Sequence, residues 1–305
     1  MWSEGAGGFG MIGVDWGTSS FRAFRLGPDG AVLERRADSR GLLSVADGRF
    51  ADTLGEAVGD WIAAGEARVL LAGMVGSRQG WREAPYVPCP AGGAELAASV
   101  IAVPFEGALV RLVPGVSALD AAGVPEVMRG EETQIMGVLG APGMDGLVCL
   151  PGSHSKWVEV RNGRIAGFAT HLTGEGFAAL RGHTILGRMM REGPADIDGF
   201  DRGLARAGEP GGLLHHLFGV RTLGLTGRLA ETAAAAYLSG LLIGHELRAA
   251  LGSDAGGMVV DLIGAPALCD LYARGIGALG GRVRRHDEDA AAQGLAAIGG
   301  MTQWD

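Results

Sequence analysis

The alternation of apolar and polar positions predicts a short strand from Met11, a tight turn, a second strand, another turn and a third strand, in the run MIGVD-WGTS-SFRAFRL-GPDG-AVLERR. The same grammar returns after Gly146 as GLVCL-PGSH-SKWVEVR-NG-RIAGFATHL. Setting Gly17 over Gly152 places Thr18 over Ser153 and Ser20 over Ser155 at a constant offset. Behind the first meander the pattern predicts a helix near Asp52–Ala64 and strands at Arg68–Ala72, Ser99–Val103 and Leu109–Val113. Behind the second it predicts helices over Gly174–Arg191 and Leu229–Leu251 and a strand at Met258–Ile263. A helix at Pro266–Leu279, a strand at Arg282–Arg285 and a helix from Glu288 follow. Strands alternating with helices, twice over, predict two α/β layers. The boundaries read as a flexible leader over 1–10, a first domain over 11–127 and a second over 128–305, the last helix able to pack back on the first.

Composition narrows the partners. Apolar residues make up 47% of the 305 and charged residues 20%, the balance of a chain with a folded core. The net charge of −8 and the lack of a Lys/Arg cluster disfavour nucleic acid and anionic membrane surfaces. Three scattered cysteines (Cys89, Cys149, Cys269), with no CxxC spacing, suit a reducing compartment and point to a cytoplasmic location. The first ten residues lack the basic and apolar regions of a secretory signal. Leu229–Leu251 is interrupted by Glu231, His245, Glu246 and Arg248 and reads as a soluble helix, not a membrane span. The 55 glycines often follow apolar strand-like runs, where sharp turns need a residue without Cβ.

Four segments carry candidate chemistry. The turn Asp15-Trp16-Gly17-Thr18-Ser19-Ser20 can aim N–H and hydroxyl groups at phosphate oxygens, with Asp15 holding a hydrated Mg²⁺; the alternative is an ordinary hairpin turn. Arg22, on the next strand, can face either the site or solvent. Pro151-Gly152-Ser153-His154-Ser155-Lys156 matches that turn but has Leu150 in place of the acid, so it supplies donors without a metal ligand. Lys156 reads as a phosphate neutraliser or a solvated edge residue. In Val127-Met128-Arg129-Gly130-Glu131-Glu132-Thr133-Gln134 a strand breaks at glycine and two glutamates open a helix. They serve as general base or as mere compensation of the helix dipole. Asp261-Leu262-Ile263-Gly264-Ala265-Pro266 is a strand-to-helix connection that an adenine ring can approach closely. No GxxxxGK[ST] run occurs, so the site is not a P-loop.

The duplicated meanders resemble the actin, hexokinase and Hsp70-type ATPases, whose two ribonuclease H-like domains carry mixed five-stranded sheets with flanking helices and face one another across a cleft. More specifically, the stretches IGVDWGTSSFRAF, LAGMVGSRQGW, VMRGEETQIMG, LPGSHSKWVEV, LTGE (Leu172–Glu175) and LSGLLIGHE (Leu238–Glu246) resemble the 2-dehydro-3-deoxygalactonokinase family of that superfamily, from Met11 to about Gly299. The resemblance implies ATP- and Mg²⁺-dependent phosphorylation of the 6-hydroxyl of 2-dehydro-3-deoxy-D-galactonate in D-galactonate breakdown; a homodimer is an open alternative that the sequence does not decide. It assigns Asp15, Gly17, Thr18 and Ser19 to the first phosphate motif, Gly152, Ser153 and His154 to the second, and Gly264 and Ala265 to the adenosine segment. The glutamate pair is similar to the GxEEA segment of exopolyphosphatases, which favours Glu132 over Glu131 as base, with Asp15 as the third catalytic group. The resemblance says less about the sugar acid: the Gly-rich loop offers Gly76, Ser77 and Arg78, with Arg78 either binding the carboxylate or standing as a surface charge, Arg129 a second candidate and Trp81 a packing residue. Thr173, Gly174 and Glu175 either contact substrate or start a helix. The rival expectations are an exopolyphosphatase-like hydrolase, a kinase for a related 2-keto-3-deoxy acid, and a non-enzymatic nucleotide switch.

Overall fold

The computed structural model describes residues 10–287 and 289–305. The expected leader falls almost wholly on residues 1–9, and the expected helix start on Glu288, all outside the described residues. The first meander is β1 (Met11–Trp16), β2 (Phe21–Leu26) and β3 (Val32–Asp38). After it come α1 (Phe50–Ala63), β4 (Arg68–Ala72), β5 (Tyr86–Pro88), α2 (Gly93–Ala98), β6 (Ile101–Val103), β7 (Leu109–Leu112), β8 (Gly115–Leu119), β9 (Pro125–Met128) and α3 (Glu131–Leu139). The second meander is β10 (Gly146–Leu150), β11 (Ser155–Arg161) and β12 (Arg164–His171). It leads to α4 (Thr173–His183), α5 (Ile197–Arg206), α6 (Gly212–Leu225), α7 (Ala234–Leu251), β13 (Val259–Ile263), α8 (Pro266–Ala278), β14 (Arg282–His286) and α9 (Asp289–Met301).

The repeat is real at the level of topology. One sheet runs β3-β2-β1-β4-β7-β6 and another β12-β11-β10-β13-β14, so each has its meander followed by a crossover strand beside the first meander strand. β1 pairs parallel with β4, as β10 does with β13. The first sheet departs from the expected five strands: β6 adds a sixth, antiparallel to β7. A third sheet, β5-β8-β9, was expected only in its last strand. By contacts the chain forms two compact units. One is Met1–Gly146 with Val158–Phe168 and His286–Asp305, the other Leu147–Trp157 with Ala169–Arg285. By contacts α3 and α9, which lie beyond the expected 127/128 boundary, belong to the first unit.

In the first unit, β1 is buried along nearly its whole length, as befits a strand covered on both faces. Phe50, Leu54, Ala57, Val58 and Trp61 give α1 a helical-period stripe that closes the core with Trp16, Phe21 and Leu71. Trp81 packs there too, stacked on Phe50 at 6.3 Å between ring centroids. In the second unit, Phe200, Leu204, Leu247, Leu262 and Tyr272 join α5, α7, β13 and α8 in one cluster. No helix among the described residues is long and apolar enough to cross a membrane.

Many glycines serve helix contacts rather than turns. A Cβ at Gly137 would strike the Ala290 carbonyl, and one at Gly294 the Thr133 carbonyl, so α3 and α9 touch backbone to backbone. Gly203 and Gly240 do the same for α5 and α7. That explains why α5 escaped sequence reading: Gly199 and Gly203 look like breakers, yet they let the helix approach its neighbour. The expected helix over Gly174–Arg191 stops at His183, because the chain doubles back until Gly187 lies on the Arg181 carbonyl.

Replacing Gly294 by Ala places a methyl group on a backbone atom that cannot move without shifting α3. The variant is expected to lose about 1–3 kcal/mol of stability, read by denaturant unfolding. An exposed control such as Gly300→Ala, with open space around its Cβ, is expected to stay near the parent.

Candidate active site

Asp15 lies near the end of β1, where the parallel register sets it beside Ala72 of β4. The C-terminal ends of such parallel strands are where α/β sheets place ligands. Arg22, opposite Asp15 on β2, turns toward it and forms an ion pair with its Oδ2. The following turn closes with the Gly17 N–H donating to the Ser20 carbonyl at 2.9 Å. Leu42 and Leu43 donate to the Gly17 and Thr18 carbonyls at 3.0 and 3.1 Å, fixing the loop from behind. Thr18, Ser19 and Ser20 are exposed at its tip.

Two glycines with positive φ join this turn to the glutamate pair. Gly73 (φ +95°) follows β4, and a Cβ there would lie 2.7 Å from the Trp16 carbonyl and 3.2 Å from Asp15 Oδ1. Gly130 (φ +106°) precedes α3, and its Cβ would sit 3.2 Å from Gly73 Cα. Backbone thus approaches backbone twice in succession, and the first turn of α3 is drawn toward Asp15. Any side chain at either glycine would be both strained and crowded.

Within that turn the two glutamates differ. Glu132 is fully buried; its Oε2 accepts the Gly130 N–H at 2.7 Å and its Oε1 the Thr133 hydroxyl at 3.2 Å. Glu131 is partly exposed and accepts the Arg129 N–H at 3.1 Å. Burial raises the pKa of Glu132 to about 8, with the neighbouring Glu131 charge adding to the rise; backbone hydrogen bonds and Arg129 act against it.

The residues expected to meet a sugar acid separate by environment. The Arg129 side chain is buried, donates from Nη2 to the Ala84 carbonyl at 2.7 Å and lies over the Tyr86 ring at 4.5 Å. Its Nε and Nη1, and Ser77 Oγ, are buried with no hydrogen-bond partner among the described residues. Gly76 makes room for that guanidinium: a Cβ there would be 2.9 Å from Arg129 Nη1. Arg78 is 87% exposed and lies 3.4 Å from Glu83.

In the second unit three distant segments converge. Gly174 lies on the second loop, where a Cβ would come 2.5 Å from the Gly152 carbonyl, and Glu175 donates its N–H to the Ser153 carbonyl at 3.0 Å. Glu175 also holds His154, Oε2 to Nε2 at 2.5 Å. Thr173–Glu175, where α4 begins, therefore brace the loop. Gly264 stands on its other side, its Cβ position 3.5 Å from the Pro151 carbonyl, with Ala265 and Pro266 opening α8. Lys156 is neither a solvated edge residue nor exposed at the loop: it is buried and donates to Thr170 Oγ1 at 2.8 Å. The roles of Gly73, Tyr272 and Glu246 escaped sequence reading; LSGLLIGHE was the one hint of the last.

A nucleoside triphosphate requires N–H and hydroxyl donors on exposed, close-approach backbone. Both loops fit: Thr18, Ser19, Ser153 and His154 are exposed, and open space surrounds the Cβ position of Gly152. Asp15, with Oδ1 turned to Gly73, fits an outer-sphere Mg²⁺ ligand.

A family model for 2-keto-3-deoxy-galactonokinase matches residues 15–298. A protein of Rhizobium meliloti (strain 1021), provisionally named 2-dehydro-3-deoxygalactonokinase, is 39% identical over 290 residues, 93% of this chain and 94% of its own. The 2-dehydro-3-deoxygalactonokinase of Escherichia coli (strain K12) is 32% identical over 288 residues, 94% and 96%. A Sinorhizobium meliloti crystal structure under the same provisional name superposes with a TM-score of 0.84 at 37% identity, covering 94% of this chain and 97% of that one. The activator of 2-hydroxyisocaproyl-CoA dehydratase from Clostridium difficile, solved with bound ADPNP, reaches a TM-score of 0.50 at 13% identity, covering 96% of each chain, a likeness of fold alone.

The raised Glu132 pKa has a consequence for stability. The folded protein keeps a proton that the unfolded chain releases near 4.5, so this contribution is fully present below that value and is lost as pH rises through about 8. The melting temperature of the parent is expected to fall more steeply between about pH 5 and 8 than that of Glu132→Gln. Parallel curves would place the carboxyl in a more polar setting.

Proposed function

The chain belongs to the 2-keto-3-deoxy-galactonokinase family, and from that premise we propose that it transfers the terminal phosphoryl group of ATP to the 6-hydroxyl of 2-dehydro-3-deoxy-D-galactonate. Kinase chemistry on the actin-like ATPase fold accords with family and architecture alike. The observation that carries the catalytic assignment is the buried Glu132 at the head of α3, drawn toward Asp15 by the Gly73 and Gly130 backbones.

Phosphoryl transfer asks little of a protein beyond alignment, charge neutralisation and a proton acceptor. In this proposal Glu132, once ionised, accepts the proton of the attacking hydroxyl, and its pKa near the working pH makes it a stronger base than an exposed carboxylate. In turns shaped by Gly17 and Gly152, the exposed Thr18–Ser19 and Ser153–His154 offer N–H and side-chain donors to phosphate oxygens. A Mg²⁺ held through water at Asp15 would neutralise charge on the transferred group. Arg78 is the carboxylate ligand we favour, because its guanidinium is exposed while that of Arg129 is buried against Ala84 and Tyr86. A cytoplasmic location belongs to the proposal, supported by cysteines that are all free.

The test is a coupled assay with ATP, Mg²⁺ and a panel of 2-keto-3-deoxy sugar acids. ATP consumption is expected to depend on the sugar acid and to be highest with the galactonate-derived one. Equal consumption without any sugar acid would identify a hydrolase instead. Glu132→Gln is expected to lower turnover by about 100- to 10,000-fold with the fold intact. In the parent, kcat/KM is expected to rise with pH to a plateau, with its midpoint near about 8, since the base acts only when ionised. Parent-like turnover in Glu132→Gln would move the role of base to Glu131 or elsewhere.

A further inference from the structure

A closed chain of buried polar groups stands behind the second loop. Glu246, in the middle of α7 and almost fully buried, accepts a hydrogen bond on each oxygen: Trp157 Nε1 donates to Oε1 at 2.8 Å and Tyr272 Oη to Oε2 at 2.6 Å. Tyr272, on α8, lies 2.9 Å from Ser155 Oγ. Ser155, the first residue of β11, has no exposed surface, and its Oγ is 3.5 Å from both the N and the O of Gly152.

Hydrogen counting gives this chain a direction. Tyr272 has one hydroxyl proton and spends it on Glu246. The Ser155–Tyr272 contact must then carry the Ser155 proton, donated to the tyrosine oxygen. With that proton committed, Ser155 cannot donate to the Gly152 carbonyl and meets the loop only as an acceptor facing the Gly152 N–H. The Gly152 carbonyl is left on the side where Gly174 packs. A carboxylate on α7 thus selects one of two hydrogen-bond patterns in a turn 91 to 94 positions earlier in the chain.

We propose that Tyr272 and Glu246 are positioning residues for nucleotide: through Ser155 they hold the Gly152–Ser155 turn in the one shape whose donors are ready for phosphate. The inference rests on the kinase reading of that loop. Buried charge is costly unless its partners are kept, and here both carboxylate oxygens are satisfied by donors from two other elements. A network bought at that cost and ending on a phosphate-facing turn is suited to preorganisation, which lowers the ordering that binding must supply. The second loop has a brace on each side, Gly174 and Glu175 in front and this relay behind.

The experiment compares the parent with Tyr272→Phe, Ser155→Ala and the double variant. Binding of ADPNP without sugar acid is followed by calorimetry, alongside KM for ATP, KM for the sugar acid and melting temperature. Each single variant is expected to weaken ADPNP binding and raise KM for ATP by roughly fivefold, the worth of one ordinary hydrogen bond. KM for the sugar acid is expected to stay within twofold. The double variant is expected to be no weaker than either single one, because both break the same chain. ADPNP affinity within twofold of the parent in both single variants would overturn the proposal, as would an equal rise in both KM values. Should Tyr272→Phe fail to fold, Ser155→Ala decides by the same readings. A parent that binds ADPNP but phosphorylates no sugar acid would refute the proposed function, while the calorimetric comparison would still decide the relay.

Discussion

The Glu132 carboxyl sits without solvent at the first turn of α3, and the near contact of two backbones keeps it there. Gly73 follows the strand that pairs with β1, and Gly130 lies against it with no side chain intervening. A methyl group at either point would push α3 away from Asp15. This one constraint fixes where the acid stands, how dry its surroundings are and hence how firmly it holds its proton.

The same economy operates on the far side of the helix. α3 is pressed onto α9 through Gly137 and Gly294, and α9 in turn packs on β1, the strand that carries Asp15. Strand, glutamate helix and terminal helix therefore form a closed triangle within the first unit, in which no member shifts alone. Close-packed interiors transmit such constraints because they have little free volume. In the second unit the loop at Gly152 is held by different means: a helix start in front, a strand end at Gly264 beside it, and hydrogen bonds from α7 and α8 behind. In the first unit position is set by contact between backbones, in the second by polar connections.

Much of this was legible in the sequence. The duplicated meander returns as the shared strand order of two sheets, since period-two patterning and Gly-rich turns are local signals. The glutamates opening α3, the helix from Pro266 and the placement of Asp15 near a strand end were legible for the same reason. Other features depend on partners far away in the chain. α5 and α6 were missed because Gly199, Gly203, Gly211 and Gly212 read as punctuation, although Gly203 exists to admit α7. Lys156 stood between phosphate neutraliser and solvated edge residue, since nothing nearby announces the half-buried Thr170 as its acceptor. Arg22 was undecided until the β1–β2 register set it opposite Asp15. That Arg129, and not Arg78, is the buried guanidinium follows from Gly76 and Tyr86, which no local pattern connects to it.

The central claim is that Glu132 is a buried carboxyl tuned to act as a base near neutral pH. Its titration can be followed directly, by carbon-13 NMR of glutamate carboxyl carbons in protein labelled at that position, with Glu132→Gln assigning the signal. The account predicts a midpoint near about 8 for that one resonance. A midpoint near 4.5, the ordinary value for glutamate, would contradict it.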